Sequence, residues 1–239
     1  MTEAMTDSRP VLAVSNLQIY YGAALAVQDV SFEVPGGSVV TVLGANGAGK
    51  SSVARACSGL VPVKSGSIHL NGADVTKWQA AEIRRAGLVY LPEGRGVFPN
   101  LSVWENLRLA VRLVPDRKEA LELALQFFPI LDKRRGQRAG SLSGGEQQML
   151  SLARALASRP KVAIIDEPSL GLAPKIIDQV FESLHQAKQF GMTMVVIEQF
   201  AHRALALSDH CIILRQGKVS WAGPATTSLD EITAHYLGS

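Results

Sequence analysis

The stretch Gly44-Ala45-Asn46-Gly47-Ala48-Gly49-Lys50-Ser51-Ser52 has the residue types and spacing to do chemistry. It fits the pattern G-x-x-x-x-G-K-S/T, with an apolar run before it and helical spacing after it. Glycines let the backbone curl so that successive N–H groups face one anion. A helix starting there adds its positive N-terminal end. The spacing predicts a polyphosphate cradle, with Lys50 reaching the β- and γ-phosphates of ATP and the Ser51 hydroxyl ligating Mg²⁺. A second cluster is Val162-Ala163-Ile164-Ile165-Asp166-Glu167, an apolar strand ending in two acids. At the C-terminal edge of a parallel strand, Asp166 is expected to hold the Mg²⁺ hydration shell. Glu167 is expected to orient or deprotonate the water that attacks the γ-phosphate. The third is Leu142-Ser143-Gly144-Gly145-Glu146-Gln147. Ser143 with Glu146 three residues on reads as a capping box. The same hydroxyl, N–H groups and helix dipole also read as a second anion site. One chain already has a phosphate loop, so Ser143, Gly144, Gly145 and Glu146 are expected to serve the ATP of a partner subunit.

The elements that must hold these groups follow from the apolar pattern. Residues 11–19 and 27–34 read as strands, with Tyr21-Gly22 between them. Residues 38–43 are a short apolar strand running into the cradle, and residues 50–59 a helix. Residues 66–70 and 88–91 read as strands, with a tight turn at Asn71-Gly72. From about residue 96 the character changes to helical spacing over 103–111 and 118–128, broken by Pro99, Pro115 and Pro129. Residues 146–157, 175–190 and 201–208 read as helices, alternating with buried strands at 162–165 and 193–197. A strand pair, 211–214 and 218–222, turns at Gln216-Gly217, and a last helix covers 229–236. The predicted fold class is α/β. Its core is a P-loop NTPase domain of mostly parallel sheet, with an N-terminal antiparallel β subdomain and a small helical subdomain inserted at about residues 96–150. Residues 1–10 are expected to be disordered and residues 11–239 to form the domain.

Composition excludes several classes. The chain has 239 residues, 47% hydrophobic, with 24 basic against 21 acidic side chains and a net charge of +3. That balance argues against a nucleic-acid partner, which wants clustered excess Lys and Arg. Cys57 and Cys211 stand far apart in no ligand spacing and read as reduced, buried thiols of a reducing compartment. No apolar run of about 18 residues is present, so no membrane span is expected. The polar start lacks the apolar core of a signal peptide.

Taken together, in this order and spacing, the cradle, the LSGGEQ run and the strand-end Asp-Glu resemble the ATP-binding-cassette ATPases, from about Val11 to the C-terminus. The resemblance implies a head-to-tail dimer holding ATP between the cradle of one subunit and the signature of the other. It matches Tyr21 to the aromatic that stacks on adenine, although a strand-end tyrosine in the core is the plainer alternative. It places Ser169-Leu170-Gly171-Leu172 as the dimer-facing loop. Two positions depart from the family pattern. Glu93 stands where a Gln usually touches Mg²⁺ and water, and Gln199 stands where a His usually bonds the γ-phosphate. Gln can donate one hydrogen bond but cannot become cationic, so weaker basal hydrolysis is expected than at a site with His. His202 reads as a residue of the following helix rather than a replacement.

Those departures, with Pro92-Glu93-Gly94-Arg95 and Glu198-Gln199, resemble one branch: the second ATPase of branched-chain amino acid importers, with relatives that serve urea or amide uptake. The branch implies a second ABC ATPase subunit (the same chain or another), two transmembrane permease subunits and, indirectly, a solute-binding protein. It implies a cytoplasmic protein, peripheral on the inner face of the plasma membrane. The alternatives are a non-transport ABC ATPase acting on nucleic acid, which the charge disfavours, and a regulatory nucleotide-binding module, which Glu167 disfavours. Lys133, Arg134, Arg135 and Arg138 read as a solvated face, with Arg138 an alternative support for the signature. Phe98, Trp104 and Leu107 belong either to a groove for a permease or to the core of the helical subdomain.

Overall fold

The computed structural model describes residues 9–94, 96–199, 201–227 and Ile232. β1 (Leu12–Tyr21) and β2 (Ala24–Val34) form an antiparallel pair. In β1 the buried positions switch from Leu12 and Val14 to Leu17 and Ile19. The phase slips at Asn16, whose φ of 48° lies between shifted registers, as a bulge requires. β3 (Val39–Leu43) leads through the glycine loop into α1 (Lys50–Cys57). β4 (Ser65–Leu70) pairs with β1 and turns at Asn71-Gly72 into β5 (Ala73–Asp74). α2 (Ala80–Ala86) precedes β6 (Leu88–Leu91).

Between β6 and β7 the chain runs through α3 (Val103–Ala110), α4 (Arg117–Phe127), α5 (Pro129–Asp132) and α6 (Gly144–Ala157). Then follow β7 (Val162–Asp166), α7 (Pro174–Gln189), β8 (Met194–Glu198), α8 (Ala201–Leu207), β9 (His210–Arg215) and β10 (Lys218–Pro224).

The sheet order is β5-β4-β1-β2-β10-β9-β3-β8-β7-β6. From β9 to β6 every neighbour is parallel. The central strands read as unbroken apolar runs because their two faces enter two different cores. Val40, Val42, Val162, Ile164, Val195 and Ile197 pack toward the antiparallel strands and α1. Val39, Ala163, Ile165, Met194 and Val196 pack toward the helices on the other side. Leu43 pairs with Glu198, Asp166 with Ile197 and Leu91 with Ile165. The carboxyl ends of β3, β6, β7 and β8 therefore finish along one edge, where open α/β sheets bind their ligands.

α2 carries little sequence signal, because Ile83 is its one buried residue; a bond from the Gln79 N–H to Glu82 Oε2 at 2.8 Å starts it. Of the helix expected over residues 229–236 only Ile232 is described, and residues 1–8 lie outside the described set. Among the described residues no helix is long and apolar enough to cross a membrane.

Cys57 and Cys211 are both free and buried, and burial pushes each thiol up to about 12. The thiolate is the reactive form, so the native chain at pH 8 should take up iodoacetamide roughly 100-fold more slowly than the unfolded chain. Mass spectrometry reads this directly, and equal rates would contradict the burial.

Candidate nucleotide site

The glycine loop links the end of β3 to α1. Gly49 caps the helix with a φ of 103°, and a Cβ there would stand 2.9 Å from the Ala26 carbonyl oxygen. Position 49 therefore needs glycine for both conformation and space. It offers no capping side chain, and the first turn of α1 carries no acid. The positive end of the helix is left uncompensated. It faces a cavity of about 370 Å³ lined by residues 46–52 with Ala26, Glu93 and Glu167.

Lys50 is buried at 5% exposure. Its Nζ donates to Gly44 O at 2.8 Å and Ala45 O at 3.3 Å, and lies 3.4 Å from Glu167 Oε1. The loop's own carbonyls thus aim the ammonium across the cavity at the acid. Glu167 has a φ of 48°, a costly region for a non-glycine residue and one that clusters at functional positions. Its N–H bonds Ile197 O at 2.9 Å, fixing that turn against β8.

Asp166, one residue earlier, is 1% exposed. Its Oδ2 accepts from the Tyr90 hydroxyl at 2.9 Å, while its Oδ1 is buried with no hydrogen-bond partner. Burial first, then the neighbouring Asp166 charge, push the Tyr90 phenol up, so it stays a donor. The Arg55 guanidinium faces the phenols of both Tyr90 and Tyr21, and these contacts hold its pKa above the usual arginine value.

The structure thus brings Asn46, Gly47, Ala48, Gly49, Lys50, Ser51, Ser52, Glu93 and Glu167 to one cavity. It leaves Tyr21, Gly44, Ala45, Asp166 and Gln199 off the lining. Tyr21 is 43% exposed rather than buried in the core. Gln199 follows β8 and donates its N–H to Glu198 Oε2 at 3.2 Å.

Ser143, Gly144, Gly145 and Glu146 do not line this cavity. They open α6, where the Glu146 N–H donates to Ser143 Oγ at 3.3 Å and the Ser143 N–H to Glu146 Oε2 at 2.9 Å. The Ser143 N–H first, and the Ser143 hydroxyl with it, hold the Glu146 carboxyl below the usual carboxylate range. A Cβ on Gly145 would meet Ile176 Cγ2 at 2.6 Å, so α6 packs against α7 where only glycine fits. Arg134, read as part of a solvated face, lies 3.4 Å from Glu146 Oε1.

Of the three residues offered to a groove or to a core, Leu107 is fully buried. Trp104 packs against that core, with Arg135 stacked 4.8 Å above its ring. Phe98, 45% exposed, lines a groove of about 680 Å³ together with Leu109, Leu113, Arg84, Arg112 and Arg159. Sequence reasoning missed Tyr90 and Arg55; the available signal was a lone hydroxyl within the apolar run Leu88–Leu91.

A glycine loop between a parallel strand and a helix, facing strand-end carboxylates, defines a P-loop nucleotide-binding domain. The fold matches a crystal structure of the ADP conformation of MJ1267, an ATP-binding cassette of an ABC transporter. The TM-score is 0.82 at 25% identity, covering 97% of this chain and 100% of that one. The family model for the ABC transporter matches residues 27–170. The chain belongs to the ABC transporter family and is an ATP-hydrolysing member of it. It is 41% identical over 232 residues to the high-affinity branched-chain amino acid transport ATP-binding protein BraG of Pseudomonas aeruginosa, covering 95% of this chain and 100% of BraG. It is 36% identical over 205 residues to the probable branched-chain amino acid transport ATP-binding protein LivF of Archaeoglobus fulgidus, covering 84% and 87%.

Proposed function

We propose that this chain is an ATPase subunit of an importer for branched-chain amino acids. It acts on the cytoplasmic face of the membrane, head to tail with a second ABC ATPase subunit and beneath two permeases fed by a solute-binding protein. The full-length likeness to BraG carries this reading. The groove at Phe98 supports the permease contact. Leu113 is 82% exposed there, and arginines line it beside the apolar side chains, which suits an amphipathic segment with an acidic residue.

Within the site, Lys50 leaves Glu167 for the incoming β- and γ-phosphates. Glu167, released from that pair, orients the attacking water and takes its proton. The second subunit's signature would close the open side, as Ser143 to Glu146 here would close the site opposite. Tyr21 supplies a ring for adenine, and Gln199 one amide donor toward the γ-phosphate.

The residues present fit Mg²⁺. A buried carboxylate oxygen without a partner is costly, and Asp166 Oδ1 is such an atom. Ser51 and Glu93 supply oxygens on the cavity itself, with Asp166 behind its lining. Among the described residues no group of three or more His, Cys, Asp or Glu could hold a metal ion by itself. That suits an ion held by one or two carboxylates plus substrate phosphates. When bound, Mg²⁺ neutralises charge on the β- and γ-oxygens.

Tyr90 holds the Asp166 carboxylate in place for this task. Tyr90→Phe should raise the Mg²⁺ concentration for half-maximal ATP turnover about tenfold, the loss of one charge-assisted hydrogen bond. ATP affinity measured without Mg²⁺ should stay unchanged, and an unaltered Mg²⁺ requirement would remove Tyr90 from the site.

The function is tested by uptake of labelled leucine into vesicles carrying the permeases, binding protein and both ATPase subunits. Uptake should require internal ATP and stop with the Glu167→Gln chain. Uptake of urea or a short amide in place of leucine would contradict the assignment.

A further inference from the structure

β8 ends in a carboxylate that the reaction does not use. Glu198 is 1% exposed. Burial, above all, raises its pKa from the usual carboxylate value, and the nearby Glu167 charge adds to this. A buried carboxylate persists where its oxygens find donors. Here each oxygen finds a different one: Oε1 accepts from the Ser169 N–H at 3.1 Å, and Oε2 from the Gln199 N–H at 3.2 Å. The paired residues of β7 and β8 end at Asp166 and Ile197, and the Glu167 N–H bond to Ile197 O follows. Past that point the Glu198 side chain bridges the two segments. One is the loop of Ser169, Leu170, Gly171 and Leu172, whose Leu170 is 47% exposed. The other is the turn that carries Gln199.

We propose that Glu198 is a positioning residue that yokes the loop starting at Ser169 to the backbone of Gln199, so that a second ATPase subunit pressing on the loop resets the residue beside the γ-phosphate. The two hydrogen bonds stand on geometry alone; the loop's partner and the γ-phosphate rest on the proposed function. An ionised carboxylate suits the task because both its oxygens only accept. A glutamine would turn an NH₂ toward one of the two N–H groups. An aspartate keeps the charge but is one methylene short of spanning both.

The test uses the full chain with Glu198→Gln and Glu198→Asp. By amide hydrogen exchange, a third variant, Glu198→Ala, which leaves neither N–H its acceptor, should speed exchange at both Ser169 and Gln199 about tenfold, the loss of roughly one hydrogen bond at each, with Val42 in β3 unchanged. Faster exchange at one amide only, or at neither, overturns the yoke. In the assembled complex Glu198→Gln and Glu198→Asp should both lower ATP turnover about tenfold while the ATP dissociation constant of the chain stays within about twofold. Wild-type turnover by Glu198→Asp, or a loss of affinity as large as the loss of rate, also overturns it. A wild-type complex that turns over no ATP would contradict the proposed function instead, and the exchange result would still decide the double bond.

Discussion

Glu167→Gln should lower multiple-turnover ATP hydrolysis by about 10³-fold and leave ATP binding intact or tighter. The substitution keeps the side chain's length and volume at a position of φ 48°, where both residues bear the same backbone cost. It removes the proton acceptor at the mouth of the cradle, because an amide oxygen does not take a proton from water at neutral pH. It also removes the charge 3.4 Å from the Lys50 ammonium. Lys50 then no longer divides its attraction between a carboxylate and the phosphates, so nucleotide affinity has no reason to fall. Phosphate release by the assembled complex, with a fluorescent nucleotide titration alongside, separates the two effects. A rate above a tenth of wild type would assign the base elsewhere, and Glu93, the other acid on the cavity, would be the next candidate.

Lys50→Met should weaken ATP binding at least about 100-fold, roughly 3 kcal/mol. Methionine keeps most of the apolar stem and volume, so α1 keeps its packing. What disappears is the one cation among the described residues lining the cavity. Left behind are the Gly44 and Ala45 carbonyl oxygens that Nζ now engages, together with the carboxylates of Glu93 and Glu167. An incoming polyphosphate would then meet two acids with only the end of α1 to offset them. Lys50 is itself buried, so the missing charge is screened less than one at a surface. Isothermal titration of the purified chain checks this, and a dissociation constant within about threefold of wild type would contradict it.

What could be read from the sequence was local or periodic. The cradle is one continuous loop whose glycines dictate their own geometry, so its lining by residues 46–52 follows from a short pattern. The central strands announce themselves because both faces of each are buried in separate cores. What was not legible depends on contacts between distant segments. Tyr90 meets Asp166 across 76 positions, because parallel pairing sets Tyr90 opposite Ile164, and no periodicity encodes that register. Glu198 meets Ser169 across 29 positions, by a side chain turned back on the neighbouring strand. α2 stayed hidden because a helix burying one residue has no apolar stripe. Trp104 and Leu107 share helical spacing with true surface aromatics, and only the packing of α3 on α6 decides which side of them is dry.

The signature and the cradle do not meet within this chain. If each is half of a site, a change at the signature must act on a nucleotide held elsewhere. Ser143→Asp isolates that effect. Aspartate caps a helix as well as serine does, so the Glu146 N–H keeps its acceptor and α6 its start. The new carboxylate stands at the exposed helix end, where the γ-phosphate bound by the second subunit has to arrive. The decisive measurement is ATP hydrolysis by the complex assembled with the Ser143→Asp chain, read beside the ATP affinity of that chain alone. The composite site predicts at least about a tenfold loss of turnover with unchanged affinity in its own cradle. An undiminished rate, or a cradle that loses its ATP, would contradict it.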